Sequence, residues 1–166
     1  KKTYSRKEKH KMKNINELPS NPPTYPVVGG DNKHSKYINI LSKLAITVEP
    51  VAQARIAACL VYHNDIISFG ICQMKSHPFQ AKFCKNNNSI YLHAETDCIK
   101  NALRIIDVDQ LSKCSLYVCR VKYEDKMKKN FLFGIAKPCI GCSRAISTFN
   151  ISRVYYSLDN EGYNVL

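Results

Sequence analysis

The amino-acid sequence predicts an α/β domain in which a mixed β-sheet carries helices on its faces. Three observations support this fold class. Apolar residues recur at helical spacing in several segments, and β-prone runs bounded by turn residues lie between them. The connections after the first pair of strands are long enough for parallel crossovers. The predicted order is α-ββ-α-β-α-β, which favours helices packed on both sides of a sheet.

The first helix is predicted over residues 35–48 and ends before Pro50. Its apolar positions recur at helical spacing: Tyr37, Ile40, Leu41, Leu44 and Val48. Two β-prone runs follow at about 56–62 and 66–72, and the Asn64-Asp65 turn between them indicates a hairpin.

The rest of the chain alternates in the same way. Residues 73–90 are predicted to form a polar loop that ends in three asparagines and a short run before the next helix. The later predicted elements are a helix at 94–106, a strand at 115–121, a charged excursion with the sequence KYEDKMKKN, a helix at 140–149 and a strand at 152–157.

The composition fits a single domain of 166 residues, 45% of them hydrophobic, which is enough for a substantial core. No stretch approaches the ~20 apolar residues that span a bilayer, and the lysine-rich start has no apolar run behind it. Most of the eight cysteines lie inside apolar runs, as Cys59 and Cys119 do, which is typical of small buried hydrophobes. We therefore expect a reduced, cytoplasmic protein (in the host cell if the source is a virus) with no membrane partner.

The formal net charge is +12, and half of it lies in the first 13 residues. This arm sets seven basic residues against Glu8: Lys1, Lys2, Arg6, Lys7, Lys9, Lys11 and Lys13. Four prolines and a Gly-Gly pair follow in residues 14–34. We expect residues 1–34 to be a basic, flexible arm with a Pro-rich linker, and residues 35–166 to be the folded domain. The arm fits attraction to nucleic-acid phosphate, and a solubilising tail explains it equally well.

Two short motifs carry candidate chemistry. His93 and Glu95 lie two residues apart in YLHAETDCI, where a helix is predicted to begin. Cys139 and Cys142 follow Pro138 in AKPCIGCSRAI, at another expected helix start that places both sulfur atoms on one face. The positive end of a helix dipole stabilises thiolates. One imidazole and two thiolates are zinc ligands that leave a fourth position for water, as in catalytic sites.

Glu95 has the position of a proton carrier in such a site. Two residues after His93, its carboxylate can reach the water that the metal activates without binding the metal itself. The alternative is a set of buried structural cysteines with Glu95 capping its helix. The combination of H-A-E with P-C-x-x-C at two helix starts favours zinc, and it leaves Cys98 as a packing residue of the same helix.

The motifs HAE and PCIGC, with ISRVYYS after them, resemble the cytidine deaminase superfamily over about residues 36–158. They look more like its deoxycytidylate and tRNA-adenosine branch than like the small cytidine deaminases. SHPFQAKF looks like the short phage-type deoxycytidylate deaminase-like proteins. The pattern H-x-E…P-C-x-x-C is the signature of zinc deaminases. The resemblance implies a three-layer α/β/α fold with a mixed five-stranded sheet, of which one strand is not evident here.

The resemblance also implies zinc-dependent hydrolytic deamination of a dCMP-like cytosine nucleotide or nucleoside to the uracil form, with release of ammonia. Glu95 would move a proton from water to the ring nitrogen. By matching position, the backbone N–H of Ala94 would bind the base and the carbonyl of Lys137 would accept from its exocyclic amine. Three aromatic side chains are candidates for stacking on the base or for the core: Phe79, Phe83 and Tyr91.

The sequence departs from the family pattern at three points. Cys72 stands where related proteins usually have an asparagine that binds the sugar, so it is a candidate substrate-binding residue of unusual chemistry. The G-Y-N-G run of many regulated deoxycytidylate deaminases is absent. The segment KYEDKMKKNFLFGI before Ala136 is longer and more basic than expected, which makes it a candidate border of the site.

Three functions are consistent with these patterns. The first is a deaminase of a free cytosine nucleotide or nucleoside. The second is a cytosine or adenine deaminase of DNA, single-stranded DNA or tRNA, with phosphate contacts from the arm and from Lys126, Lys128 and Lys129. The third is an inactive deaminase-fold binding protein, against which Glu95 argues because structural zinc has no use for it. Relatives imply a homo-oligomer, whose size the sequence leaves open.

Overall fold

The computed structural model describes residues 23, 32–51, 53–84, 91–124, 130–159 and 162–166. The basic arm at residues 1–13, almost all of the linker, and Lys126, Lys128 and Lys129 lie outside the described residues. The elements follow in chain order: α1 (Asn32–Thr47), β1 (Arg55–Tyr62), β2 (Asp65–Ile71), β3 (Gln73–Ser76), α2 (Pro78–Phe83), β4 (Tyr91–Leu92), α3 (Ala94–Ala102), α4 (Val108–Leu111), β5 (Ser115–Tyr123), β6 (Phe131–Gly134), α5 (Ile140–Thr148), β7 (Arg153–Ser157) and β8 (Tyr163–Val165).

A six-stranded mixed sheet organises the domain, with the strand order β2-β1-β5-β7-β8 and β6 beside β5. Strand β1 is antiparallel to both β2 and β5, whereas β5 and β7 are parallel. Strand β7 pairs with the first half of β5 and β6 pairs with the second half. Strand β1 occupies one edge of β5. Strands β6 and β7 therefore share the position at the opposite edge, and the sheet is five positions wide.

The two faces of the sheet carry separate cores. Successive residues of β1 alternate between them, as the period of a strand requires. Ala57, Cys59 and Val61 belong to the core under α1, whereas Ala58 and Leu60 belong to the core under α3 and α5. The result is the predicted three-layer α/β/α arrangement with a mixed sheet. It places α3 and α5, the helices that follow the two motifs, on the same face.

Helix α3 lies very close to β2, and Gly70 makes that approach possible. A Cβ atom at Gly70 would lie 2.2 Å from the backbone oxygen of Ala94 and 2.3 Å from the backbone nitrogen of Cys98. Such distances are far inside van der Waals contact, so only glycine fits there. Buried Asp97 adds a polar link, because its carboxylate accepts from the backbone N–H of Ile71 at 3.2 Å and from Nε2 of Gln73 at 3.1 Å. The beginning of α3 is therefore fixed relative to the sheet.

Several element predictions need correction. The stretch predicted as a loop at 73–90 contains β3 and α2, because His77 caps a helix that has Pro78 in its first turn. The hairpin turn is His63-Asn64, both with positive φ, and Asp65 already belongs to β2. Parallel pairing was predicted for the strands after the hairpin. Strand β5 pairs with β1 in antiparallel orientation, and the parallel pairing occurs between β5 and β7.

The structure also adds elements and adjusts bounds. Helix α3 ends at Ala102 rather than near residue 106. Helix α4 and strands β6 and β8 were not predicted, and β6 accounts for the sixth strand. Among the helices in the described part of the chain, none has the length and apolar character to cross a membrane.

Candidate metal centre and active site

The three predicted metal ligands lie at the starts of two neighbouring helices. His93 has extended backbone just before α3, and Cys139 has the same conformation just before α5. Neither side chain makes a capping hydrogen bond to its own helix. The imidazole and the thiol point instead toward each other, and Cys142 joins them from the first turn of α5.

The donor atoms of these residues form one cluster. Nδ1 of His93 lies 3.5 Å from Sγ of Cys139 and 3.3 Å from Sγ of Cys142, and all three donor atoms lie within 4.8 Å of one another. Tetrahedral ligands at the usual zinc distances of about 2.0–2.3 Å are separated from each other by roughly 3.5 Å. The cluster fits a zinc ion in both donor type and spacing.

The thiols of Cys139 and Cys142 have pKa values that are shifted in opposite directions. A hydrogen bond from Cys142 and the nearby imidazole lower the pKa of Cys139 to about 3, although burial opposes this shift. The pKa of Cys142 is raised well above its usual value by its bond to Cys139 and by burial. The hydrogen bond to Cys139 also raises the pKa of His93, again against burial. Cys139 is therefore the more acidic thiol of the pair.

Glu95 lies beside this cluster in the first turn of α3 and is only 5% exposed. Burial raises the pKa of its carboxyl group, while its own backbone N–H and His93 act in the opposite direction. Interaction between the carboxyl group and Cys142 lowers the pKa of Glu95 and raises the pKa of Cys142. The carboxyl group is thus sheltered from bulk water at the edge of the metal cluster, where a proton carrier is needed.

A buried amide that the sequence did not single out supports the cluster. Oε1 of Gln80 accepts a hydrogen bond from the backbone N–H of His93 at 3.2 Å and a second one from the Thr96 hydroxyl. Nε2 of Gln80 donates to Sγ of Cys84 at 2.7 Å. Gln80 is completely buried. The signal for it was the sequence HPFQAKF, in which a proline follows a capping residue and opens a helix.

The predicted substrate-binding residues differ in their placement. Ala94 is the first residue of α3 and is fully buried, so its N–H is among the helix-start donors without an intrahelical partner. Cys72 is also buried, and its thiol donates to the Ala54 carbonyl and accepts from the Ile56 N–H. Burial raises the pKa of Cys72, and the charge of Glu95 contributes to the increase. Lys137 is exposed and lies two residues before Cys139.

The aromatic candidates divide between the core and the surface. Phe79 lies against Phe83 and Phe149 with ring centroids 5.3 and 6.1 Å away, and this cluster belongs to the core under α3 and α5. Of the two roles considered for Phe79 and Phe83, base stacking and core packing, these contacts are those of core packing. Tyr91 is exposed on β4, in the strand that leads into His93. Cys98 is fully buried in the same core, as expected for a packing residue.

Comparison with known proteins bears directly on this site. Residues 31–158 match the family model described as the cytidine and deoxycytidylate deaminase zinc-binding region. The matched span includes both motifs and every strand of the main sheet except β8. The comparison with curated proteins gives no match. The family match does not separate a phage-type branch from the rest of the family.

Proposed function

Because the chain belongs to the family with the cytidine and deoxycytidylate deaminase zinc-binding region, and its cofactor is zinc, we propose that it hydrolytically deaminates the cytosine base of a nucleotide. The products are the uracil form and ammonia. The observation that carries this proposal is the buried carboxyl group of Glu95 beside the donor atoms of His93, Cys139 and Cys142. A purely structural metal site has no need of a buried acid next to its ligands.

His93, Cys139 and Cys142 would hold the zinc ion, which when bound lowers the pKa of a coordinated water towards ~7. The protein supplies the proton transfers. Glu95 takes a proton from the attacking water and gives it to the ring nitrogen of the base as the new C–O bond forms. It then takes the second proton from the hydroxyl group on the attacked carbon and gives it to the amine, so that the C–N bond breaks and ammonia leaves. Because Glu95 lies in the first turn of α3, its carboxyl group would exchange protons with both the water and the base without binding the metal.

Two backbone groups are suited to orienting the base. The N–H of Ala94 is a fixed donor at a helix start, and the buried setting around it excludes competing water. The carbonyl of Lys137, just before the Pro138-Cys139 turn, would accept from the exocyclic amine. Gln80 holds the turn at His93 in place, so the donor and the metal ligand are positioned together.

The first candidate substrate is a free cytosine nucleotide such as dCMP, since deoxycytidylate is named in the family description. Cys72 stands at the position where the usual family pattern provides an asparagine for the sugar. Its thiol is engaged with the backbone of residues 54 and 56, so sugar recognition would differ from that pattern.

The second candidate substrate is cytosine within a polynucleotide. It is favoured by a basic groove next to the zinc-binding turn, which is described in the next subsection. An adenine base would undergo the same chemistry at a different ring carbon, so adenine substrates belong in the same test.

The test offers dCMP, cytidine, single-stranded DNA, duplex DNA and tRNA to the zinc-loaded protein and detects the exchange of amine for oxygen by mass spectrometry. Glu95→Gln should keep zinc and fold but lower the rate on the preferred substrate by about 10³-fold. Glu49→Gln is the matched control, because Glu49 is exposed in the turn after α1. A wild-type protein that holds stoichiometric zinc and is inert on every substrate would contradict the proposal and support a binding role.

A further inference from the structure

An open groove of about 830 Å³ runs between α2 and α5 on the side of the domain that carries the zinc-binding turn. Its lining includes three basic side chains, Lys82, Lys137 and Arg144, and none of its nine described lining residues is acidic. Three hydroxyl-bearing residues of α5 complete the polar lining: Ser143, Ser147 and Thr148. The groove therefore presents positive charge together with the hydroxyl groups of Ser143 and Ser147, whereas the Thr148 hydroxyl donates to the Arg144 carbonyl at 2.8 Å.

The positive charge of the groove is not neutralised within the described part of the chain. The ion pairs there join Lys100 to Asp97 and Lys122 to Asp159, and neither involves a groove residue. Lys82 lies over the ring of Phe83 at 5.7 Å, and Arg144 donates to the Phe83 carbonyl at 3.3 Å. These contacts orient the two cations along the groove and leave their charge available for an anion.

The groove adjoins the zinc site through the chain itself. Lys137, Pro138 and Ile140 flank Cys139, so the groove begins at the turn that carries a metal ligand. Ile140 is 72% exposed and gives an apolar surface at this end. From there the lining residues recur on one face of α5 as far as Thr148, a length of about 12 Å.

The length of the groove favours several phosphate groups over one. One strand of a duplex rises about 3.4 Å per nucleotide and an unstacked single strand is more extended, so a length of about 12 Å accommodates about two successive phosphates of a single strand. Lys137 lies before α5, at the end of the groove next to Cys139, whereas Arg144 lies in the second turn of α5. Successive phosphates of a polynucleotide would therefore contact these two cations in turn, which a single phosphate group would not do.

We propose that this basic groove binds the phosphate backbone of a single-stranded polynucleotide, whose target cytosine enters the zinc site. The base chemistry at that site rests on the proposed function above. A single strand fits because the target base must leave any stacked duplex to reach a buried carboxyl group and metal ligands. A second copy of this chain is disfavoured as the occupant, since a symmetric contact would bring the same cations together on a protein of net charge +12.

The test measures binding of a fluorescent, cytosine-containing single-stranded DNA to zinc-loaded Glu95→Gln protein by anisotropy, between about 50 and 200 mM salt. The groove variant is Lys82→Glu with Arg144→Glu. The matched control is Lys33→Glu with Lys43→Glu, which makes the same change in net charge at exposed positions of α1 on the opposite face of the sheet. All of these positions except Glu95 are exposed, so folding should persist, and circular dichroism checks it.

The groove variant should bind at least about tenfold more weakly, and the slope of log affinity against log salt should fall by about 1.4, as expected for two lost phosphate contacts on a single strand. The control should change affinity less than about twofold. Equal weakening in both variants would overturn the proposal, because it would reduce the effect to net charge. The proposal would also be overturned if dCMP or inorganic phosphate displaced the labelled strand as effectively as unlabelled oligonucleotide does, because the groove would then hold a single phosphate.

The two proposals fail separately in this design. Groove-dependent binding without deamination of any substrate would leave the groove assignment standing and refute the proposed function. Deamination of dCMP, combined with oligonucleotide binding that the groove variant does not weaken, would leave the proposed function standing and refute the groove assignment.

Discussion

The side-chain oxygen of Gln80 accepts a hydrogen bond from the backbone N–H of His93 at 3.2 Å, across 13 residues of sequence. Gln80 is fully buried, and the same oxygen also accepts from Thr96 in the first turn of α3. A short helix with no ligand of its own thus fixes the turn that presents the imidazole. Gln80 thus contacts the backbone of a metal ligand without belonging to the donor set.

Gln80→Ala should lower the free energy of unfolding by about 2 kcal/mol, because it leaves the buried N–H of His93 without an acceptor, whereas the Thr96 hydroxyl keeps the His93 carbonyl as its acceptor. It should also weaken zinc binding by roughly tenfold, as loss of a group that orients a metal ligand does. Urea unfolding and competition with a chromogenic chelator measure the two effects. Gln53→Ala, at an exposed turn, is the control and should change stability by less than about 0.5 kcal/mol. Unchanged zinc affinity in Gln80→Ala would refute the supporting role.

Cys142→Ala should abolish stoichiometric zinc binding, because the donor set would lose one of its two thiolates. Metal content after dialysis measures this. Cys114→Ala is the matched control, since Cys114 is equally buried but lies in the core just before β5. It should keep full zinc and lose only a little stability. Full zinc content in Cys142→Ala would show that the ligand assignment is wrong.

Zinc affinity should rise with pH between about 6 and 8. Zinc binds thiolate and neutral imidazole, so the raised pKa values of Cys142 and His93 mean that each must release a proton when the metal binds. Cys139, with a pKa of about 3, is already ionised and contributes no proton in this range. Chelator competition at several pH values, corrected for protonation of the chelator, gives the slope. A slope of zero would contradict the raised pKa values of His93 and Cys142.

Gly70→Ala should destabilise the protein by about 3 kcal/mol, because the new methyl group would meet backbone atoms of α3 that cannot move alone. Gly134→Ala is the control. Its methyl group would approach only the flexible side chain of Arg120, at 3.1 Å, and should cost less than about 1 kcal/mol. Thermal unfolding of both variants compares them. A Gly70→Ala protein as stable as Gly134→Ala would show that α3 and β2 can separate freely.

The sequence predicted the fold class and the principal helices and strands because they are long and periodic. It failed where elements are short. Helix α2 and strand β6 cover six and four residues, too few for a hydrophobic period to be visible, and they form because other parts of the chain lie beside them. The antiparallel pairing of β1 with β5 likewise depends on which strand edge is available, a property that chain order does not contain.

The candidate metal cluster followed from two motifs because each places its ligands by local geometry. A helix start fixes the direction of His93 and Glu95, and the Pro-Cys-x-x-Cys turn does the same for the two thiols. The roles of Phe79 and Phe83 did not follow, since an aromatic residue in a polar segment fits both a stacking surface and a core. Only the position of Phe149 across from them distinguishes the two.

The sequence by itself therefore determined which chemical groups the candidate site contains: the types of donor atom, the acid beside them and the helix starts that carry them. Tertiary structure decided how these groups are held and what lies around them. Gln80 reaches His93, Gly70 admits α3, and Lys82 comes to face Arg144 only because α2 and α5 pack on the same side of the sheet. Such contacts join residues distant in the chain, and the free energy that selects them belongs to the packed domain as a whole.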